Sequence, residues 1–134
     1  MDPIKVLIAD DEEEILDLMK KKITQEGYDV VTAHDGQEAW DKIKSESPDM
    51  LILDITMPKM SGLEVLKELR ENNPLDKWIP VIIVSAAAEL EDVQKGYSLE
   101  ADHYITKPCS MDDIKKAIKL MLMLAAQRKN DDEV

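Results

Sequence analysis

The chain has 134 residues, a mass of 15.2 kDa and a formal net charge of −12, with 44% apolar and 34% charged residues. These values fit one soluble domain, and the acidic balance argues against binding to nucleic acid or to anionic membranes, since either would need a basic face. A single cysteine, no recognisable secretory leader and no apolar run long enough to span a bilayer favour a cytoplasmic location.

Short apolar segments alternate along the chain with segments of helical spacing. The apolar segments in the middle of the chain are rich in valine, isoleucine and leucine without polar alternation, which indicates strands buried on both faces of a parallel sheet. Right-handed crossovers then predict an α/β fold, a single doubly wound (βα)5 domain with helices on both faces. The predicted strands span 6–9, 30–33, 50–53, 81–84 and 103–106, and the predicted helices span 12–25, 36–44, 61–71, 90–99 and about 111–127.

One long connection, over 72–80, separates the third predicted helix from the fourth predicted strand. The last helix is expected to begin on a Ser110 cap, with Asp113 near its positive end. The predicted domain covers 1–127, and 128–134 is expected to be a frayed, polar, acidic C-terminal tail.

Polar residues follow four of the predicted strands. Asp10 and Asp11 follow the first, Asp54 the third, Ser85 the fourth and Lys107 the fifth. In an open parallel α/β sheet, ligands bind beyond the carboxyl ends of the strands, where the strand order reverses. If the order is 2-1-3-4-5, the three carboxylates meet there and repel one another. Mg²⁺ would resolve the repulsion, because it prefers oxygen ligands and keeps several waters.

The same residues suit phosphoryl transfer. A carboxylate can attack phosphorus to form an aspartyl phosphate, and the protein then mainly positions groups and neutralises charge. Mg²⁺, Lys107 and the Ser85 hydroxyl would supply that neutralisation. Taken singly, each residue also has a structural interpretation: Asp11 with Glu14 could start a helix, and Asp54 could end a strand. Their joint placement at one edge of the sheet favours the functional interpretation.

Four segments resemble, in order and spacing, the receiver domain of two-component response regulators. The resemblance covers nearly the whole chain, and it implies a flavodoxin-like, five-stranded parallel sheet in the order 2-1-3-4-5. Within this family, the chain resembles a stand-alone, chemotaxis-receiver-like protein. The matching segments are KVLIADDE at 5–12, LILDITMP at 51–58, VIIVSA at 81–86 and DHYITKP at 102–108.

The resemblance implies a metal site and a phosphoacceptor. Asp54 matches the phosphoacceptor. Asp11 and Asp54 would contact Mg²⁺ directly, together with the backbone carbonyl of Thr56. Asp10 would act mostly through water.

The resemblance also implies a switch. Lys107 would pair with a phosphoryl oxygen, and its peptide bond to Pro108 would be cis. Ser85 matches the hydroxyl that turns toward the phosphoryl group, and Tyr104 matches the aromatic residue that then moves inward. Two positions depart from the family pattern, Cys109 in place of a bulky apolar residue and Glu100 in place of a frequent glycine. Neither change removes a catalytic group.

The implied function is that of a single-domain response regulator. A histidine kinase or a histidine phosphotransfer protein would donate the phosphoryl group from a phosphohistidine. The face formed by the fourth predicted helix, the fifth strand and the fifth predicted helix would then signal by protein contact or phosphorelay. We expect a monomer with no DNA-binding segment, which catalyses its own phosphorylation and dephosphorylation without turning over an external substrate.

Two alternatives belong to other classes. A phosphatase of the haloacid dehalogenase type would need a second aspartate two residues after the nucleophile, where this chain has Thr56, and usually a cap domain. A phosphorylation-independent interaction module with a receiver fold tends to lack part of the acidic site or the lysine, whereas all of these residues are present.

Overall fold

A five-stranded parallel sheet organises the protein. The computed structural model describes residues 3–86 and 101–133, and the strand order is β2-β1-β3-β4-β5, as predicted. The helix predicted over 90–99 lies outside the described residues. The elements in chain order are β1 (Lys5–Ala9), α1 (Glu13–Gln25), β2 (Asp29–Ala33), α2 (Gly36–Glu46), β3 (Met50–Asp54), α3 (Gly62–Glu71), β4 (Val81–Ala86), β5 (His103–Lys107) and the C-terminal helix (Met111–Glu133).

The central strands are buried on both faces, and this fixes the layers of the fold. Side chains alternate between the faces of a strand. Leu7 and Leu51 pack with α2 and α3 on one face, whereas Val6 and Ile52 pack with α1 and the C-terminal helix on the other. Burying each such side chain contributes about 1.5–3 kcal/mol. The two apolar layers therefore fix the register of β1 against β3, which places the ends of these strands together.

Side-chain caps start most of the described helices. Asp35 caps α2, Ser61 forms a capping box with Glu64 at the start of α3, and Ser110 accepts a hydrogen bond from the Asp113 N–H at 3.1 Å. The predicted cap of the last helix is confirmed. Each cap satisfies a backbone donor that has no partner within the helix.

The start of α1 differs from the structural interpretation of Asp11. The residue before the helix is Glu12, and its side chain makes no capping hydrogen bond. Instead, the Asp10 carboxylate accepts the Glu12 N–H at 2.9 Å. Interpreting Asp11 and Glu14 as a helix cap is therefore wrong, and Asp11 keeps an exposed carboxylate at the edge of the sheet.

The C-terminal helix is longer than predicted, since it continues past Gln127 to Glu133. The segment expected to fray contains no glycine or proline, so nothing in its backbone stops the helix. A long-range contact also holds it, because the Arg128 guanidinium lies 4.4 Å from the centroid of the Trp78 ring. Among the described residues, no helix combines the length and the apolarity needed to cross a membrane.

Candidate functional site

Three carboxylates meet at the carboxyl-terminal edge of the sheet. Asp10 directly follows β1, and Asp54 is the last residue of the neighbouring strand β3. Asp10, Asp11 and Asp54 each offer an oxygen, and these oxygens lie within 4.8 Å of one another. Asp10 and Asp54 are buried, with exposed fractions of 3% and 7%, whereas Asp11 is exposed. The structure thus brings together the three acids that the sequence placed at this edge.

Lys107 is the cation of the cluster. Its Nζ lies 3.1 Å from Asp54 Oδ2 and 3.3 Å from Asp10 Oδ2. Partial burial alone would lower the pKa of Lys107, but the negative charges of these two carboxylates outweigh it, and the pKa is raised. The ammonium therefore stays protonated at neutral pH. The peptide bond between Lys107 and Pro108 is cis, as the resemblance implied.

The Asp54 carboxyl is electrostatically unusual. Burial raises its pKa to about 6, and the charge of Asp10 adds to this, while Lys107 and a backbone hydrogen bond from Thr56 act in the opposite direction. At neutral pH most Asp54 is ionised, in a setting that disfavours the charge. One ammonium against three carboxylates leaves negative charge unbalanced. A donor set of three carboxylates therefore fits Mg²⁺, which prefers oxygen ligands.

The loop between β3 and α3 is held tightly against Asp54. The Gly62 N–H donates to the Ile55 carbonyl at 2.9 Å. A Cβ atom on Gly62 would lie only 2.2 Å from the backbone oxygen of Asp54, so this position has room for glycine alone. Thr56 lies in this loop, and the role of its carbonyl as a metal ligand stays a prediction.

Ser85 and Tyr104 lie on the same face of the sheet. Tyr104 pairs with Ile83 across β4 and β5, and Ser85 is two residues further along β4. Because paired and alternate residues share a face, the two side chains are diagonal neighbours. Ser85 is buried, and Tyr104 packs partly buried against the apolar layer of α2 and α3. This juxtaposition is compatible with the predicted switch, whose motion stays a prediction.

An apolar cleft beside the acidic cluster is a feature that sequence reasoning missed. The cleft has a volume of about 500 Å³ and lies between α1 and the start of the C-terminal helix, with Leu18, Cys109 and Met111 in its wall. Burial raises the pKa of the Cys109 thiol, so this residue packs as a neutral side chain at neutral pH. The residues that line the cleft come from segments far apart in the chain, so no local sequence pattern predicts that they lie together.

Comparison with known sequences identifies the family that carries this arrangement. Residues 6–119 match the response regulator receiver domain family. The chain is 37% identical to the alkaline phosphatase synthesis transcriptional regulatory protein PhoP of Bacillus subtilis, over 96% of this chain and 55% of that protein. It is 39% identical to the transcriptional regulatory protein TrcR of Mycobacterium tuberculosis, over 90% of this chain and 46% of that protein. The chain thus spans about half the length of these relatives.

Solved structures give the same result for the fold. A CheY-like response regulator receiver domain protein from Methanospirillum hungatei is 31% identical, with a TM-score of 0.87 over 95% of this chain and 99% of that one. The receiver domain of the Francisella response regulator 1452 is 36% identical, with a TM-score of 0.79 over 90% of this chain and 96% of that one. Both similarities extend over nearly the full length of the solved chain.

Proposed function

Because the chain belongs to the response regulator receiver domain family, we propose that it accepts a phosphoryl group on Asp54 from a phosphohistidine of a histidine kinase or histidine phosphotransfer protein. The observation that carries the proposal is the acidic cluster, in which the buried Asp54 carboxylate lies 3.1 Å from Lys107 and beside two further acids. A carboxylate with a raised pKa and a specific cation partner in such a position is typical of a reactive group.

In the proposed reaction, an Asp54 carboxylate oxygen attacks phosphorus as the phosphorus–nitrogen bond of the phosphohistidine breaks. The bonding pair leaves with the imidazole nitrogen, which takes up a proton. Lys107, which now balances Asp10 and Asp54, is close enough to pair with an oxygen of the transferred group, and the Ser85 hydroxyl would donate to another. Asp10, Asp11, Asp54 and the carbonyl of Thr56 would hold Mg²⁺, which when bound neutralises charge on the phosphoryl oxygens.

The proposed output is a conformational switch. The phosphoryl dianion would attract Ser85 and Lys107, and Tyr104 would occupy the space that Ser85 leaves. Moving the population from mostly inactive to mostly active takes about 5 kcal/mol, which several charge-assisted hydrogen bonds can supply together. The face that changes would include β5 and the C-terminal helix.

Signalling through protein contact or phosphorelay, without a DNA-binding segment, stays a prediction. The chain corresponds to about half of PhoP and TrcR, which are named as transcriptional regulators, so the activity of the whole protein is not fixed by this part. Phosphorylation of Asp54 does not depend on that question, because the proposed chemistry uses groups within this chain.

The proposal is tested by incubating the protein with acetyl phosphate and Mg²⁺ and measuring the intact mass. We expect the wild type to gain one phosphoryl group and Asp54→Asn to gain none. Asp49→Asn is the matched control, because Asp49 lies at the opposite edge of the sheet and is ion-paired with Lys77. Equal phosphorylation of Asp54→Asn and wild type would show that Asp54 is not the acceptor. A wild type that binds neither Mg²⁺ nor beryllofluoride would favour a phosphorylation-independent interaction module.

A further inference from the structure

The start of α2 packs directly against the loop that follows Asp54. The Gly36 N–H donates to the Pro58 carbonyl at 3.3 Å. A Cβ atom on Gly36 would lie 1.9 Å from the Met60 carbonyl oxygen and 2.4 Å from the Met60 Cβ. A backbone oxygen cannot swing aside as the tip of a long side chain can. Any larger residue at position 36 must therefore displace either α2 or the loop.

The other features of this loop show that its path is imposed from both sides. At its far end, a Cβ atom on Gly62 would lie 2.2 Å from the backbone oxygen of Asp54, nearly as close as the Gly36 contact. Between the two glycine contacts, Lys59 has a left-handed backbone with φ of 69°, which is costly for a residue with a side chain. Its Nζ also lies 3.6 Å from the carboxylate of Asp35, the cap of α2. The loop is thus clamped between the start of α2 and the start of α3.

We propose that Gly36 is a positioning residue for the phosphorylation site. By admitting the Met60 carbonyl against α2, it sets the path of the loop over 55–61, and hence the place of the Thr56 carbonyl relative to the Asp54 carboxylate. Gly36 touches no reacting atom and acts through Pro58 and Met60. The inference rests on the proposed function in one respect, that the loop serves the reaction of Asp54.

The test compares Gly36→Ala with Gly27→Ala. Gly27 has a φ of +95° and open space around its Cα, so alanine there strains the backbone without touching a neighbour. We expect both variants to lose stability. In the metal-free protein, only Gly36→Ala should shift the amide resonances of 55–61. The same variant should raise the Mg²⁺ concentration for half-maximal phosphorylation by acetyl phosphate roughly tenfold, the scale seen when groups that support metal ligands are lost.

The outcomes separate the two proposals. If the amide resonances of 55–61 move no more in Gly36→Ala than in Gly27→Ala, Gly36 does not position the loop. If they move but the Mg²⁺ dependence of phosphorylation is that of the wild type, the loop position does not matter to the site, and the inference is equally overturned. If acetyl phosphate does not phosphorylate the wild type, the proposed function is contradicted. The amide resonances of the metal-free variants still test whether Gly36 positions the loop.

A measurement on the wild type covers the case in which Gly36→Ala does not fold. The Gly36 N–H is bonded to a carbonyl of the loop, so its amide resonance should move during a titration with Mg²⁺ alone. It should follow the same saturation curve as the Thr56 amide, while the Gly27 amide stays in place. A Gly36 amide that remains as constant as that of Gly27, while Thr56 responds, would refute the coupling.

Discussion

Both edges of the sheet carry carboxylates and cationic side chains, but the two edges pair these charges differently. At the amino-terminal edge, Asp102 and Asp49 each have their own partners. Asp102 accepts hydrogen bonds from the Arg70 guanidinium at 2.9 Å and from the Val81 N–H at 2.8 Å. Asp49 accepts one from the Lys77 ammonium at 2.8 Å. These acids join α3 and the start of β4 to their neighbours, and their charge is matched locally.

At the carboxyl-terminal edge the charges are not matched. Among the ion pairs of the described residues, Asp10 and Asp54 share one cation, Lys107, and the Asp11 carboxylate lies beside them. Matched acids stabilise the fold, whereas clustered acids with too few cations destabilise it until a ligand arrives. Asp102 and Asp54 each have one cationic partner and one backbone N–H partner, so what distinguishes the acids of the candidate site is that two carboxylates share one cation.

The largest expected effect is on stability at the amino-terminal edge. Asp102→Ala removes the carboxylate partner of a largely buried guanidinium, which keeps its hydrogen bond to the Ile79 carbonyl, and the acceptor of a strand N–H, so we expect the free energy of unfolding to fall by about 3 kcal/mol. Asp54→Ala should cost far less, because it also removes repulsion. Urea unfolding of both variants without metal makes the comparison, and equal losses would show that the two edges do not differ.

Next in size is the effect of the shared cation. Lys107→Gln should slow phosphorylation by acetyl phosphate about 100-fold, which is typical for loss of one group that stabilises developing charge. Lys77→Gln, at the opposite edge, should leave that rate unchanged. The rates follow from intact mass against time at saturating Mg²⁺. A Lys77→Gln variant that is equally slow would mean that the loss reflects general destabilisation.

The smallest of the three effects is a pH dependence. The pKa of Asp54 is raised to about 6 in the folded protein against 3.8 for the unfolded chain, so the folded state binds this proton more tightly. Stability through this group is therefore lowest above pH 6 and is regained as the pH falls toward 4. We compare the free energy of unfolding of the wild type with that of Asp54→Asn. As the pH is lowered from about 7.5 to about 4.5, we expect the wild type to become more stable relative to the variant by roughly 2 kcal/mol.

This dependence is measured by urea unfolding of both proteins in chelator. Asp102, whose pKa burial also raises, is present in both proteins, and its contribution cancels in the difference. A constant difference across that pH range would mean that Asp54 titrates in the folded protein as it does in the unfolded chain.

The central strands could be predicted from sequence because strands buried on both faces consist of consecutive apolar residues. β1 begins at Lys5, one position before the predicted segment, and β3 ends one position later, at Asp54. The end of the C-terminal helix could not be predicted in this way. Its extension past Gln127 places Arg128 over Trp78, and nothing in the sequence around either residue indicates that contact.

The candidate site likewise has features that could be predicted from sequence and others that could not. The residues at strand ends could be placed together because topology converts position in the chain into position in space. The contact of Gly36 with Met60 could not, because it is a close approach of two loops whose lengths and turns do not specify their separation. Position 36 is predicted as the start of a helix, but nothing in the sequence indicates its spatial neighbour.

Two guanidinium groups lie over the Trp78 ring, those of Arg70 at 5.9 Å and Arg128 at 4.4 Å from its centroid. Arg70 also holds Asp102, two residues before Tyr104 in the chain. The indole is thus a built-in optical reporter, whose emission responds to the positions of nearby charges. With Trp40 replaced by phenylalanine, its fluorescence would record, without any label, whether an event at Asp54 crosses the sheet to the opposite edge.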